Sequence, residues 1–227
     1  WDDRVVGVTS NPTIFEKAIG SGPEYEAPAR DLAERGLSAE DIYWTLAIED
    51  IQGAADILRG IYELTNGRAG YVSLECAPAV ANDTEATIAM ATDLWERLDR
   101  PNVMIKIPAT AEGIPAIEAS IAAGINVNVT LLFAVDLYEE VARAYIAGLR
   151  RLRDLTIYRL GYWDMSVVGL NDDQVAPLAG LTELRVLDLS RNNVTDAGLE
   201  HLHGLKHLEV LENVGMTLNL MPITGIP

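Results

Sequence analysis

The sequence predicts a mixed α/β protein whose architecture changes about two thirds of the way along its 227 residues. Three observations carry this expectation. Short apolar runs alternate with longer helical stretches up to about residue 149. Polar residues on those runs share one parity and gather near the C-terminal ends. Beyond residue 150, leucines recur with a period of 24 residues.

The strand candidates are RVVGVTS (4–10), GYVSLEC (70–76), NVMIKIPA (102–109) and INVNVTLLF (125–133). Each is short, rich in β-branched residues and flanked by turn formers, as a strand requires. Helices are expected at 38–65, where Ser38 precedes Glu40 and Asp41 in a cap-like start, and then at 83–98, 112–123 and 135–149. A strand followed by a helix, repeated four times, is the pattern of parallel βα units. Four units make half of an eight-stranded barrel, or a small open sheet.

After residue 150, Leu178, Leu181, Leu184 and Leu187 are matched one period later by Leu202, Leu205, Leu208 and Leu211. The core LTELRVLDLSRNNV fits the leucine-rich-repeat pattern, with Leu184, Leu187 and Leu189 inside and Asn192 bonding backbone at the turn. Residues 149–160 read as one weaker turn of the same kind. So few repeats cannot bury a core alone, and their strands are expected to extend the open edge of the first sheet. The domains are therefore read as 1–149, a partial βα barrel, 150–212, repeats, and 213–227, an apolar tail.

A formal net charge of −17 excludes a sequence-independent grip on nucleic acid or anionic lipid. The single cysteine, Cys76, excludes an internal disulfide and is expected to pack as a small hydrophobe. No secretory leader pattern or long apolar span is present, so a cytoplasmic setting with no membrane contact is expected. The chain opens on Trp1 rather than methionine, which suggests an excised piece. In HLHGLKH, His201, His203 and His207 do not share one face, and no metal site is read there.

Parity locates the chemistry. In PNVMIKIPAT, Val103, Ile105 and Ile107 share one face and Lys106 lies on the other. Ser73 and Glu75, and likewise Asn126, Asn128 and Thr130, fall on the polar side of their strands, and Asn11 follows the first strand. Parallel βα folds place their sites at this end. A lysine in an apolar wall needs a carboxylate partner or a use for its neutral amine. Two readings stay open: a buried structural Lys106–Glu75 pair, or Schiff-base chemistry with Glu75 and Thr130 moving protons through a water.

Residues 4–149 resemble the transaldolase family in its bacterial long-chain form, through GVTSNPTIFEKAI, DIYWTLAIEDIQGAADILRGIYE, GYVSLE, PNVMIKIPAT and GINVNVTLLF. The resemblance implies a (β/α)8 TIM barrel, here a half barrel, that moves a dihydroxyacetone unit between sugar phosphates in the pentose phosphate pathway. It implies Lys106 as the Schiff-base lysine, Glu75 and Thr130 as the pair holding the catalytic water, and Asn11 and Asn128 as substrate-binding asparagines. It implies no cofactor.

The departures from the family pattern predict weak turnover. The family's first strand carries an acidic residue that is expected upstream of Trp1, and Asp2 and Asp3 are poor substitutes. The sixth to eighth strands, with their phosphate-binding arginines, are not recognised after residue 149. The family's SLEVSPR reads here SLECAPA, so Ala79 stands at an arginine position. Residues 213–227 resemble a fragment of the rod-shape and division membrane polymerases, and a chimera is expected. The alternative function is a non-catalytic interaction module using the repeat surface, with a protein partner there. Open sheet edges also point to a homo-oligomer.

Overall fold

The computed structural model describes residues 5–152, 154–156 (backbone only), 170–190 and 192–212. The chain divides into two compact units, Trp1–Arg150 and Arg151–Pro227. The expectations for Asp2, Asp3 and the 213–227 tail lie outside the described residues, as do residues 153 and 157–160 of the weak 149–160 turn.

The first unit is an α/β fold on an all-parallel sheet in the order β1 (Gly7–Thr9), β2 (Tyr71–Glu75), β3 (Val103–Pro108), β4 (Val127–Thr130). Helix α1 (Pro12–Ser21) follows β1, with α2 (Pro23–Glu34) and α3 (Ala39–Leu64) before β2. Helices α4 (Thr84–Leu98), α5 (Gly113–Ala122) and α6 (Val135–Arg151) follow the other strands. The four strands and the later helices fall where the sequence places them. The short helices α1 and α2 do not come from that reading. Their signal is weak because Pro12, Pro23 and Pro28 read as breakers, yet the first two occupy a first helical turn, where proline costs nothing.

Side-chain caps fix the helix starts. Ser38 Oγ accepts from Asp41 N at 3.1 Å, Asp83 from Ala86 N at 3.0 Å, and Asn11 Oδ1 from Ile14 N at 2.9 Å. The core lies between sheet and helices. Val103, Ile105 and Ile107 of β3 are fully buried beside Leu94, Leu98 and Ile117, and each such side chain contributes about 1.5–3 kcal/mol. Beneath them, the buried Asn102 Nδ2 donates to Ala55 O at 2.8 Å and to Gly70 O at 2.9 Å, tying α3 to the entrances of β2 and β3. Gly70 sits at φ 88°, and a Cβ there would stand 2.4 Å from Tyr62 N, so only glycine fits the entry to β2.

The second unit holds a separate three-stranded parallel sheet of β5 (Asp154–Thr156), β6 (Val186–Asp188) and β7 (Val210–Glu212). The expected extension of the first sheet is therefore not what forms. Among the described strands, β5 pairs with β6: Leu155 stands opposite Leu187, and Leu187 opposite Leu211, and only the second pairing has the 24-residue interval of the leucine period. Val175, Leu184, Leu187, Leu189, Val194, Leu202 and Leu205 form its buried core. Asn192 accepts from Leu170 N at 3.0 Å and donates to Leu189 O at 3.0 Å, the backbone-bonding role its position predicts.

Asn102→Ala leaves two buried carbonyls without their donor and is expected to cost about 3 kcal/mol. A shift of the denaturant midpoint, followed by Trp44 and Trp95 fluorescence, measures it. An unchanged midpoint would mean that the clamp contributes nothing.

Candidate functional site

The C-terminal ends of β1 to β4 bring together residues that are far apart in the chain. The β2–β3 register sets Glu75 opposite Lys106, and the β3–β4 register sets Lys106 opposite Asn128. Because strand side chains alternate, one register carries all the polar residues to the face away from the helices.

Lys106 is only 8 % exposed. Its Nζ donates to Glu75 Oε2 at 3.1 Å and to the main-chain carbonyl of Ser10 at 2.7 Å. Thr130 Oγ1 lies 3.4 Å from Glu75 Oε1, a weak contact that a small shift would strengthen. Asn128 Nδ2 donates to Ser73 Oγ at 3.1 Å. Lys106, Glu75, Thr130 and Asn128 thus form one constellation. Asn11 is at its margin, with its side-chain oxygen engaged as the cap of α1.

Three further groups shape the site and escape the sequence reading. Ser10 supplies a carbonyl, which no side-chain pattern announces. Tyr43 on α3 is pushed above the ordinary tyrosine range by burial first, then by the carboxylates of Glu16 and Glu75, so it stays protonated. Thr110 donates from Oγ1 to Ala81 O and accepts from Gly113 N, fastening the turn after β3 to that after β2. Placement just after a strand is the signal that could have found Ser10 and Thr110.

Cys76, one residue from Glu75, points into the helix layer and is 3 % exposed. Burial, then the Glu75 charge, pushes its thiol up to about 12. It is the small core hydrophobe the parity predicts. Among the described residues, no group of three or more His, Cys, Asp or Glu side chains is placed to hold a metal ion, and no helix is long and apolar enough to cross a membrane.

Residues 2–180 match the family Transaldolase/Fructose-6-phosphate aldolase. The chain belongs to that family. It is 51% identical over 176 residues to the transaldolase of Thermobifida fusca, a match covering 75% of this chain and 48% of that protein. The transaldolase of Saccharopolyspora erythraea is 53% identical over 152 residues, covering 67% of this chain and 41% of its own length. Transaldolase 1 of Streptomyces avermitilis is 55% identical over 148 residues, 65% and 39% respectively. The chain therefore spans less than half the length of these relatives. The family match runs past residue 149, where the sequence pattern changes, and the parallel βα sheet is consistent with part of a (β/α)8 barrel in this family.

A thiol at about 12 and out of solvent is expected to react slowly with iodoacetamide at pH 8 in the native protein, and at least about 100-fold faster once unfolded. Rapid stoichiometric alkylation of the native chain would place Cys76 outside the core.

Proposed function

We propose that the inner face of the first sheet carries out Schiff-base aldol chemistry, transferring a dihydroxyacetone unit between sugar phosphates through Lys106. The observation that carries this reading is the Lys106 amine, held in an apolar wall between Glu75 and the Ser10 carbonyl and surrounded by neutral hydrogen-bonding side chains. A purely structural ion pair would explain Lys106 and Glu75. It gives no account of Asn128 and Thr130 on the same face.

In this mechanism the Nζ lone pair of neutral Lys106 attacks the ketone carbon, and the carbonyl electrons move to oxygen, which takes up a proton. The carbinolamine then expels that oxygen as water while nitrogen forms the C=N bond. Glu75, with Thr130 beside it, takes and returns the protons through a water, and Asn128 and Asn11 hold substrate hydroxyls. No cofactor is assigned.

Turnover is proposed to be slow. Ala79, exposed in the turn after β2, offers a methyl group where the family pattern has an arginine, so one binding group for an anionic substrate is lost. The domain reading is retained as a proposal: a partial barrel over 1–149, repeats over 150–212 and a tail over 213–227, assembled as a chimera. The 24-residue spacing of the Arg185–Glu209 pair across β6 and β7, and the buried leucines beneath it, support the repeats.

A second reading, an interaction module, rests on the second unit. Val210 is 41 % exposed on its last described strand, beside the exposed Glu212, which suits a protein partner. The outer edges of β1 and β4 support a homo-oligomer.

Borohydride trapping with dihydroxyacetone or fructose 6-phosphate, read by intact mass, separates the readings. One Lys106-dependent adduct is expected, lost in Lys106→Ala, with Glu75→Gln slowing its formation by about 100-fold. Dihydroxyacetone, which is uncharged, should trap faster than the phosphorylated sugar at low salt, because the net charge of −17 repels a phosphate. A folded chain that yields no adduct would leave the interaction module as the function.

A further inference from the structure

The Schiff-base reading names a nucleophile and a proton carrier but does not say what aims the nucleophile. A neutral amine has two N–H bonds and one lone pair, in tetrahedral directions. If both hydrogens have fixed acceptors, the lone pair has one direction left. Lys106 Nζ has two such acceptors, Glu75 Oε2 at 3.1 Å and the Ser10 carbonyl at 2.7 Å.

The Ser10 carbonyl is the more firmly held of the two. Ser10 is 6 % exposed, its Oγ donates to Ser73 O at 2.8 Å, and its main-chain N donates to the same oxygen at 3.1 Å. Ser73, 4 % exposed, lies on β2 two residues before Glu75, so one strand braces both acceptors. Ser10 is also the residue at which β1 turns into the Asn11 cap of α1, and without the side-chain bond its position would rest on the single main-chain bond to Ser73 and on the cap that follows.

We infer that Ser10 is a positioning residue for Lys106: its hydroxyl, anchored on Ser73, fixes the carbonyl that orients the amine. This rests on the Schiff-base reading. The two acceptors differ in chemistry. When the imine forms and is protonated, nitrogen keeps one hydrogen and needs one acceptor. A main-chain carbonyl cannot take up a proton at neutral pH and can only hold that hydrogen. The count closes from the ammonium, with three hydrogens on Nζ: Glu75, as carboxylate, takes one to free the lone pair, a second passes through water to the carbonyl oxygen after attack, and Glu75 returns the first to the departing hydroxyl, so one hydrogen stays on the protonated imine and the single positive charge is conserved.

The test uses the full chain with Ser10→Ala and Ser10→Thr, the latter keeping the hydroxyl. The three lysines are Lys17, Lys106 and Lys206, and the first and last are exposed, so they serve as internal references for brief acetylation at one pH. In Ser10→Ala, acetylation of Lys106 relative to the other two is expected to rise several-fold as the amine is freed. In dihydroxyacetone trapping, the maximal rate is expected to fall about tenfold, for loss of one aligned hydrogen bond, with the half-saturating concentration unchanged. Ser10→Thr should restore both. Circular dichroism and Cys76 alkylation establish folding, and Ser10→Cys, a weak donor of similar size, replaces the alanine variant if that fails to fold.

If Ser10→Ala leaves both readouts at wild-type values, or if threonine is as defective as alanine, the inference is overturned. If the wild-type chain forms no adduct, the Schiff-base reading fails by its own test. Acetylation then decides about Ser10: unchanged labelling of Lys106 overturns its role, and a rise reversed by threonine supports it.

Discussion

The placement of Glu75 opposite Lys106 in the β2–β3 ladder is the constraint on which the first unit depends. A slip of one residue would turn Lys106 into the helix layer and bring Ile105 or Ile107 to the polar face, because strand side chains alternate without exception. The penalty is steep in both directions. It would put an ammonium among Leu94, Leu98 and Ile117, and expose side chains that are now fully buried. The hydrophobic core therefore sets the register, and the register sets the site. Asn102 reinforces it from below, where its amide spans α3 and the start of β2.

That dependence explains how much of the molecule was legible in the sequence. Period-two alternation gave the strands and, with them, the sidedness of Ser73, Glu75, Lys106, Asn128 and Thr130. Caps such as Ser38 and Asp83 gave the later helix starts. The failures have different causes. Helices α1 and α2 were hidden by prolines that are compatible with a first turn. Asn11 is a different case: its side-chain oxygen caps α1, a local use that sequence cannot separate from the substrate contact the family resemblance implies. The Ser10 carbonyl was invisible, because main-chain groups have no sequence signature of their own.

The expected extension of the first sheet failed for a third reason. Strands β6 and β7 stand 24 residues apart in parallel, and the Arg185–Glu209 pair spans the same interval. What the period could not reveal was the partner of its first strand. β5 pairs with β6, with Leu155 opposite the buried Leu187, outside the 24-residue interval that separates β6 from β7.

The outer edges of the first sheet then raise a conflict between pairing and charge. Val5 and Val6 before β1 and Val8 within it are 51 %, 57 % and 42 % exposed, and Leu131 and Phe133 beyond β4 are 56 % and 89 % exposed. Leu131 also takes a left-handed φ of 57°, which ends β4 immediately after Thr130 at a conformational cost of about 1–2 kcal/mol. Among the described residues no further strand pairs with either edge, and apolar side chains beside such an edge favour association. A net charge of −17 opposes it over a distance of roughly 10 Å at 0.1 M salt, and less as salt rises. The short strands shift the balance further: β1 has three residues and β4 four, so each edge offers few hydrogen bonds to offset the repulsion. The acidity that would weaken attraction for the phosphorylated substrate proposed above also opposes the proposed association through these edges, so added salt, or cations placed near Ala79, would favour both.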